Sequence, residues 1–512
     1  VKLNSPRLTA LRFRLISGAA TMANTPGITL LGLGPGNPDL LTQQARQLLA
    51  EASEIHLRTQ HHPVVAALPS ELILHSFDDL YAASDRFEDV YAGIVARILE
   101  LGARPEGVIY AVPGHPFVAE ATCPEIYRQA RKANLPVQVV SGLSFLEPAF
   151  TALDLDPFPQ VTLIDALELA ASYYPVFPPD APALIAQVYD RDIAAQVKLT
   201  LMEVYPDDHP VTLLHAAGTA DELVEQLALY EIDRSPHIEL LTCLYVPPMP
   251  EGTSLEAFAD VVAHLRAPEG CPWDRKQTIK SLRPHLLEEA YEALSAIDAG
   301  KMDDLREELG DLLLMVLMLA QIASEEEGFN FAQVVHGIYT KIVRRHPHVF
   351  GDMEIQDEAG VLVNWEKLKE LERKNNGDKD KGLLDGVAHA LPALLQAQEI
   401  QGRAARVGFD WQNPEGVLEK IQEELQELQT ADQPEQKEAE LGDLLFALAN
   451  FARHLELDAE AALRGTIDRF RRRFKYIEVH AAEQDRSLSE MSLAEMDQLW
   501  DQAKELDLGE SD

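Results

Sequence analysis

Positive charge is scarce in this chain: 44 lysines and arginines stand against 84 aspartates and glutamates over 512 residues, a formal charge of −40. A surface of that sign repels the phosphates of DNA and RNA, and the arginines fall in short local clusters rather than a stripe, which argues against polymeric nucleic acid as a partner. Cysteine is scarcer still. Cys123, Cys243 and Cys271 are odd in number and far apart, so no disulfide framework is expected and a reducing, cytoplasmic setting is the simpler reading. Long apolar runs are missing too. The longest, LLLMVLMLA at 312–320, falls well short of the roughly 20 residues that cross a bilayer, so no membrane partner is expected. The first residues carry Lys2, Arg7, Arg12 and Arg14 but no apolar stretch of a secretory signal, which leaves Met22 as a candidate start and residues 1–26 as a leader outside the fold.

What is present is an acidic pattern written twice. EEAYE at 288–292 is followed by EELGDLL at 307–313, and EELQE at 423–427 by AELGDLL at 439–445. Glu288, Glu289, Glu292, Glu308 and Asp311 thus answer to Glu423, Glu424, Glu427, Glu440 and Asp443, at offsets of 135 and 132 residues, which a loop three residues shorter would explain. At roughly 100° per residue, each glutamate triplet covers an arc of about 100° on one helix face, and each ExxD pair lies about 60° apart on another. Like charges at that spacing cost a helix a few tenths of a kcal/mol per pair, a cost a divalent cation with hard oxygen ligands, magnesium or manganese, would relieve. A solvated helix face is the bland alternative, but solvation gives no reason for ELGDLL to recur before an apolar helix. Gly310 and Gly442 inside those helices are expected to mark close packing or a metal near the backbone.

Downstream of each acidic set come cations and a tryptophan. Lys341 and Arg345 share a helix face, as do Arg469 and Arg473, and WxxxK follows in both copies as Trp365 with Lys369 and Trp500 with Lys504. Cations for phosphate oxygens and a ring face for a base are what a nucleotide site needs, which makes these eight the candidate substrate-binding residues.

From about residue 255 to the end, the chain resembles the MazG nucleotide pyrophosphohydrolases, through CPWDRKQT (271–278), RRHPHVFGD (344–352), LDGVAHALPAL (384–394) and RVGFDW (406–411). The resemblance implies an all-α helical bundle, magnesium held by the five acids of each copy, and hydrolysis of nucleoside triphosphates to monophosphate and pyrophosphate. Glu289 or Glu424 would orient or deprotonate the attacking water. The denser arginine run at 469–473 favours the second copy as the more active one.

The first half alternates strand, glycine-rich turn and helix, as in ITLLGLGPGNPDLLTQQARQLLAEASEIHL (28–57), which argues for α/β architecture. GLGPGNPDLLT, YAVPGHP and VVSGLSF together resemble the tetrapyrrole methylase family over residues 27–248. That resemblance implies two α/β lobes around a cleft for S-adenosylmethionine. Pro113, Gly114, His115 and Pro116 would lie on one donor loop, Ser141, Gly142, Leu143 and Ser144 on another, and Gly32, Gly34, Pro35 and Gly36 towards the methyl acceptor. His115 replaces the aspartate usual in that family, which weakens the case for methyl transfer.

The expected organisation is therefore a multidomain chain: a methylase-like α/β domain at 27–248, then all-α MazG copies at 255–371 and 383–512. Breaker-rich segments at 246–254 and 372–382 would separate them. A homodimer acting on nucleoside triphosphates is expected. In the alternative, a methyltransferase, the helical half would serve as a nucleotide-sensing or assembly module.

Overall fold

The computed structural model of the chain describes residues 26–84, 86–353 and 382–509, with isolated positions from 355 to 368. Residues 1–25 of the expected 1–26 leader, Lys369 and all of the 372–382 segment except Gly382 lie outside the described residues. Two compact units divide between Arg275 and Lys276.

The first unit is built on two sheets. Strands β1 (Ile28–Gly32), β2 (Glu54–Leu57), β3 (Ile73–Ser76), β4 (Val108–Val112) and β5 (Val137–Val140) form a sheet ordered β3-β2-β4-β1-β5 with every pair parallel. The ITLLG sequence of β1 is buried at every position, as a central strand covered on both faces requires. Leu30 packs with Ile94, Tyr110 and Ile126 on one face, and Leu31 with Leu49, Ile55 and Leu57 on the other. Full burial of each such side chain stabilises the fold by about 1.5–3 kcal/mol. The second sheet runs β6-β7-β10-β8-β9 from β6 (Thr162–Asp165), β7 (Ala183–Ala186), β8 (Pro210–His215), β9 (Leu223–Ala228) and β10 (Thr242–Val246). Only β6 and β7 pair in parallel; the rest is antiparallel. These are the two α/β lobes the sequence implies. The helix Leu255–Arg266, which follows the proline-rich 246–254 segment, is part of this first unit, its cap Ser254 donating from Oγ to Asp180 at 2.8 Å.

Three glycines explain the glycine-rich turns. They sit where the loops leaving β1, β4 and β5 cross, and a Cβ on Gly32 would lie 2.4 Å from the Gly142 nitrogen and 2.6 Å from the Gly114 oxygen. Gly34 and Gly114 also exchange backbone hydrogen bonds. A side chain at either Gly32 or Gly142 would push the loops apart.

The second unit is helical: α1 (Arg283–Ala299), α2 (Met302–Glu325), α3 (Phe331–Arg345), α4 (Ala393–Ala405), α5 (Pro414–Thr430), α6 (Pro434–His454), α7 (Ala459–Glu483) and α8 (Leu493–Gly509). The acidic helices form two hairpins, α1 with α2 and α5 with α6. Gly300, at φ 65°, terminates α1 in the left-handed cap glycine favours, whereas Pro434 opens α6 at its first turn. The three-residue difference between the copies is not in the loop, as the spacing alone suggests. α1 runs seven residues past Glu292 and α5 only three past Glu427, while the connections are two and three residues long. About one helical turn has been removed, and that keeps the facing of the acidic residues.

Gly310 and Gly442 depart from the close packing expected of them: a Cβ built at either meets nothing within 4 Å. Gly310→Ala and Gly442→Ala should each raise the stability of the helical unit by about 0.5–1 kcal/mol, read as a higher urea midpoint at unchanged slope.

Candidate functional site

The two helical hairpins bring acids together from opposite arms. Glu289 on α1 meets Glu308 and Asp311 on α2, with one carboxylate oxygen from each lying within 4.8 Å of the others; Glu424 on α5 meets Glu440 and Asp443 on α6 in the same way. Among the described residues these are the two carboxylate groups gathered closely enough to share an ion. Glu288, Glu292, Glu423 and Glu427 are exposed and stand outside the trios. They still act at close range. Glu289 is held above the ordinary carboxylate range by partial burial and then by Asp311, Glu292, Glu308 and Glu288. Glu308 is raised by loss of water and by Glu292 and Asp311, and Glu440 by loss of water and by Glu427, Glu424 and Asp443.

The sign of these shifts sets a pH dependence. Carboxyls whose folded pKa lies above the ordinary 4.5 bind protons more tightly in the folded chain. Their contribution therefore declines as pH rises from 4.5 through the folded values and stays lost above them. Urea unfolding in chelator at pH 5 and at pH 7.5 should show that loss, and magnesium at pH 7.5 should restore stability.

One difference between the copies lies beside the second trio. Lys420, one turn before Glu424, places its Nζ 2.6 Å from Glu424 and 3.0 Å from Glu423, and both carboxylates hold its pKa above the ordinary lysine value. The first copy has His285 there, 3.4 Å from Glu288. Glu424 is 4% exposed, and its Oε2 is buried with no hydrogen-bond partner. A bare buried carboxylate oxygen beside two further carboxylates fits a divalent cation, which satisfies it as no neutral neighbour does.

The candidate substrate residues pair off symmetrically. The Arg345 guanidinium lies 5.5 Å from the Trp365 ring centre and that of Arg473 5.7 Å from Trp500. Arg469 donates to Thr466 Oγ1 at 2.8 Å, Lys504 pairs with Asp501 at 2.8 Å, and Lys341 is exposed. The stacked arginines lie on α3 and α7, helices that carry no member of either trio.

In the first unit a cavity of about 180 Å³ opens between the loops after β1 and β4 and the strand ends of the second sheet. Of the eight residues expected at the methyl donor, Pro113 and Gly114 line it. His115 is turned to its own loop, its Nδ1 accepting from the Phe117 amide at 3.0 Å, and so makes the turn contact a carboxylate could make there. Ser144 is bound through N and Oγ to Glu147, and Gly142 is packed against Gly32 and Gly114. Pro116, Ser141 and Leu143 are outside the lining, whereas Pro35 is part of it. His62, which no motif singles out, is in the wall.

The lining backbone is unusual. Ala119 (φ 50°), Gln187 (φ 66°) and Gly114 (φ 66°) line the cavity, and Ala216 (φ 48°) precedes its lining residue Ala217. Left-handed conformations at residues with a Cβ cost of order 1–3 kcal/mol and gather where a site demands them.

Comparison with known proteins follows the same division. A family model described as the MazG nucleotide pyrophosphohydrolase domain matches residues 277–350, and the tetrapyrrole (corrin/porphyrin) methylase model matches residues 27–233. Protein YabN of Bacillus subtilis is 44% identical over 487 residues, spanning 93% of this chain and 98% of YabN. The nucleoside triphosphate pyrophosphohydrolase/pyrophosphatase MazG of Thermotoga maritima is 43% identical over 253 residues, 49% of this chain and 96% of its own length. The nucleoside triphosphate pyrophosphohydrolase of Escherichia coli is 42% identical over 262 residues, 50% of this chain and 99% of its own.

Proposed function

Because the chain belongs to the MazG family, with a tetrapyrrole methylase domain ahead of its helical unit, we propose that its carboxylate trios are magnesium centres. The helical unit then hydrolyses nucleoside triphosphates to monophosphate and pyrophosphate and sanitises the nucleotide pool. The observation that carries this reading is the double convergence of Glu289, Glu308 and Asp311 and of Glu424, Glu440 and Asp443, each drawn from two helices.

Bound there, magnesium or manganese supplies positive charge for phosphate oxygens and makes a nearby water more acidic. Glu289 and Glu424, set on the helix opposite the other two acids of each trio, would hold the ion and orient that water or take its proton. Glu292 and Glu427 keep the local field negative, so metal-free substrate, itself an anion, is repelled. Arg345 and Arg473, each over a tryptophan, present cation and ring to the nucleotide; Lys341, Arg469 and Lys504 add charge, and Lys369, outside the described residues, is assigned the same role from the sequence. Assays on a panel of triphosphates with magnesium should release pyrophosphate; orthophosphate as the product would contradict the proposal.

Assembly as a homodimer in the cytoplasm completes the reading. Leu309, Leu313 and Val316 on α2 are 38–54% exposed along one apolar stripe, a face that a second copy would cover. No helix among the described residues is long and apolar enough to cross a membrane. A second activity, methyl transfer from S-adenosylmethionine, is favoured by the cavity that Pro113 and Gly114 line, whose wall holds left-handed backbone at Ala119 and Gln187.

A further inference from the structure

The two arginine and tryptophan pairs of the helical unit are alike in their cation and unlike in what else meets the ring. Counted from the paired arginines, RRHP at 344–347 answers to RRFK at 472–475, so His346 stands where the second copy has Phe474. Pro347 disfavours helical backbone at the residue before it, and α3 ends at Arg345 with His346 at φ −121°, ψ 57°. The second copy has no proline there, and α7 runs on through Phe474 to Glu483. Released from its helix, the His346 ring lies 5.0 Å from that of Trp365 and nearly perpendicular to it, at 84°. Trp500 meets phenyl groups instead: Phe470 lies 5.0 Å away, and Phe474 stacks on Phe470 at 6.0 Å.

His346 is also held in one tautomer. Its Nδ1 lies 2.7 Å from the Ile342 carbonyl, which can only accept, so Nδ1 donates and in the neutral ring Nε2 carries the lone pair. Nε2 has no hydrogen-bond partner among the described residues. Beside it, the His348 ring packs 5.7 Å from that of His346 and keeps a buried Nδ1, also without a partner among the described residues. The wall at Trp365 therefore offers a ring face and a directed acceptor. The wall at Trp500 offers ring faces, which take any base by its π-face.

We propose that the two sites divide their substrates by base: the Trp365 site selects a nucleotide whose base carries an exocyclic amino group, held by His346 Nε2, whereas the Trp500 site is indifferent to that group. The inference rests on the nucleotide reading of both sites given above. A site built to hydrogen-bond a substrate group rejects the analogue that lacks it, because the acceptor is then left unpaired, and a purely apolar wall has no such penalty to impose.

Calorimetric titration in magnesium tests it, on full-length Glu424→Gln, which leaves the first site, and full-length Glu289→Gln, which leaves the second. The probes are the non-hydrolysable α,β-methylene analogue of ATP and its 6-deamino counterpart. The first site should prefer the amino compound about tenfold, the loss of one hydrogen bond, and the second should distinguish the two by less than about twofold. His346→Phe, added to Glu424→Gln, should abolish the preference and leave the affinity for the 6-deamino compound unchanged, a result that a misfolded variant would not give. Equal affinity for both compounds at the first site, the same preference at the second, or joint loss of both compounds in the His346→Phe variant would each overturn the proposal. Binding of both compounds without preference would remove this role and keep the nucleotide reading, whereas no binding of either compound to either protein would remove that reading and the proposal with it.

Discussion

Glu424→Gln should lower magnesium-dependent pyrophosphate release from the second copy by about 10²–10³-fold, and Glu289→Gln should do the same in the first, because each removes charge from a three-carboxylate centre that phosphate chemistry needs. The substitution is nearly isosteric, so helix and packing persist. In metal-free protein the stability effect at neutral pH should run the other way. Beside burial, repulsion from Asp311 and Glu292 raises the pKa values of Glu289 and Glu308, and one charge fewer relieves it. Asp311→Asn should therefore unfold at a higher urea concentration than wild type in chelator while losing activity in magnesium. A variant that loses both would mark the trio as a structural cluster instead. The copies should also differ in metal affinity. Lys420 already neutralises part of the second centre, so Lys420→Met should tighten magnesium there and His285→Leu should change the first centre little.

Glu120→Ala should destabilise the first unit by about 3–5 kcal/mol, the usual result of leaving one member of a buried ion pair alone. Arg58, just after β2, pairs with Glu120 at a site where the glutamate side chain is 1% exposed, and it also bonds the hydroxyl of Tyr81 at 2.9 Å. Glu120 in turn accepts from the Thr122 amide at 2.8 Å and so fixes the loop that carries Val118 and Ala119 into the cavity wall. Without it the guanidinium stays buried among tyrosines with no opposite charge. Thermal unfolding of the first-unit transition should fall by roughly 6–20 °C on the usual scaling for a unit of this size. The double change Arg58→Met with Glu120→Leu should recover much of that, since an apolar pair in place of a buried ion pair is often neutral or better.

Much of this is legible in the amino-acid sequence. The recurrence of EExxE and ExxD located both carboxylate centres, because helix periodicity converts spacing into shared faces. The strand and turn alternation gave α/β architecture and the resemblance to the methylases its two lobes, while the recurring cations and WxxxK picked out residues whose stacking at Trp365 and Trp500 only the structure reveals. What escaped depends on packing between segments remote in sequence. Five acids per copy look equivalent in a line of text; only the hairpin geometry sets Glu289 and Glu424 inside the trios and leaves Glu288 and Glu423 outside. A missing helical turn and a shortened loop leave the same offset in residue numbers. The glycines of GLGPG and VSGLS are explained by three loops crossing, and His62, one of two adjacent histidines in RTQHHP, carries no local mark that distinguishes it from His61.

The direct test is manganese binding to the full chain, counted by electron paramagnetic resonance in wild type, Glu289→Gln, Glu424→Gln and the double variant. Each single change should remove the ions of one centre, and the double change should remove both with the fold intact. Undiminished manganese in the double variant would contradict the assignment of the two trios as the metal centres.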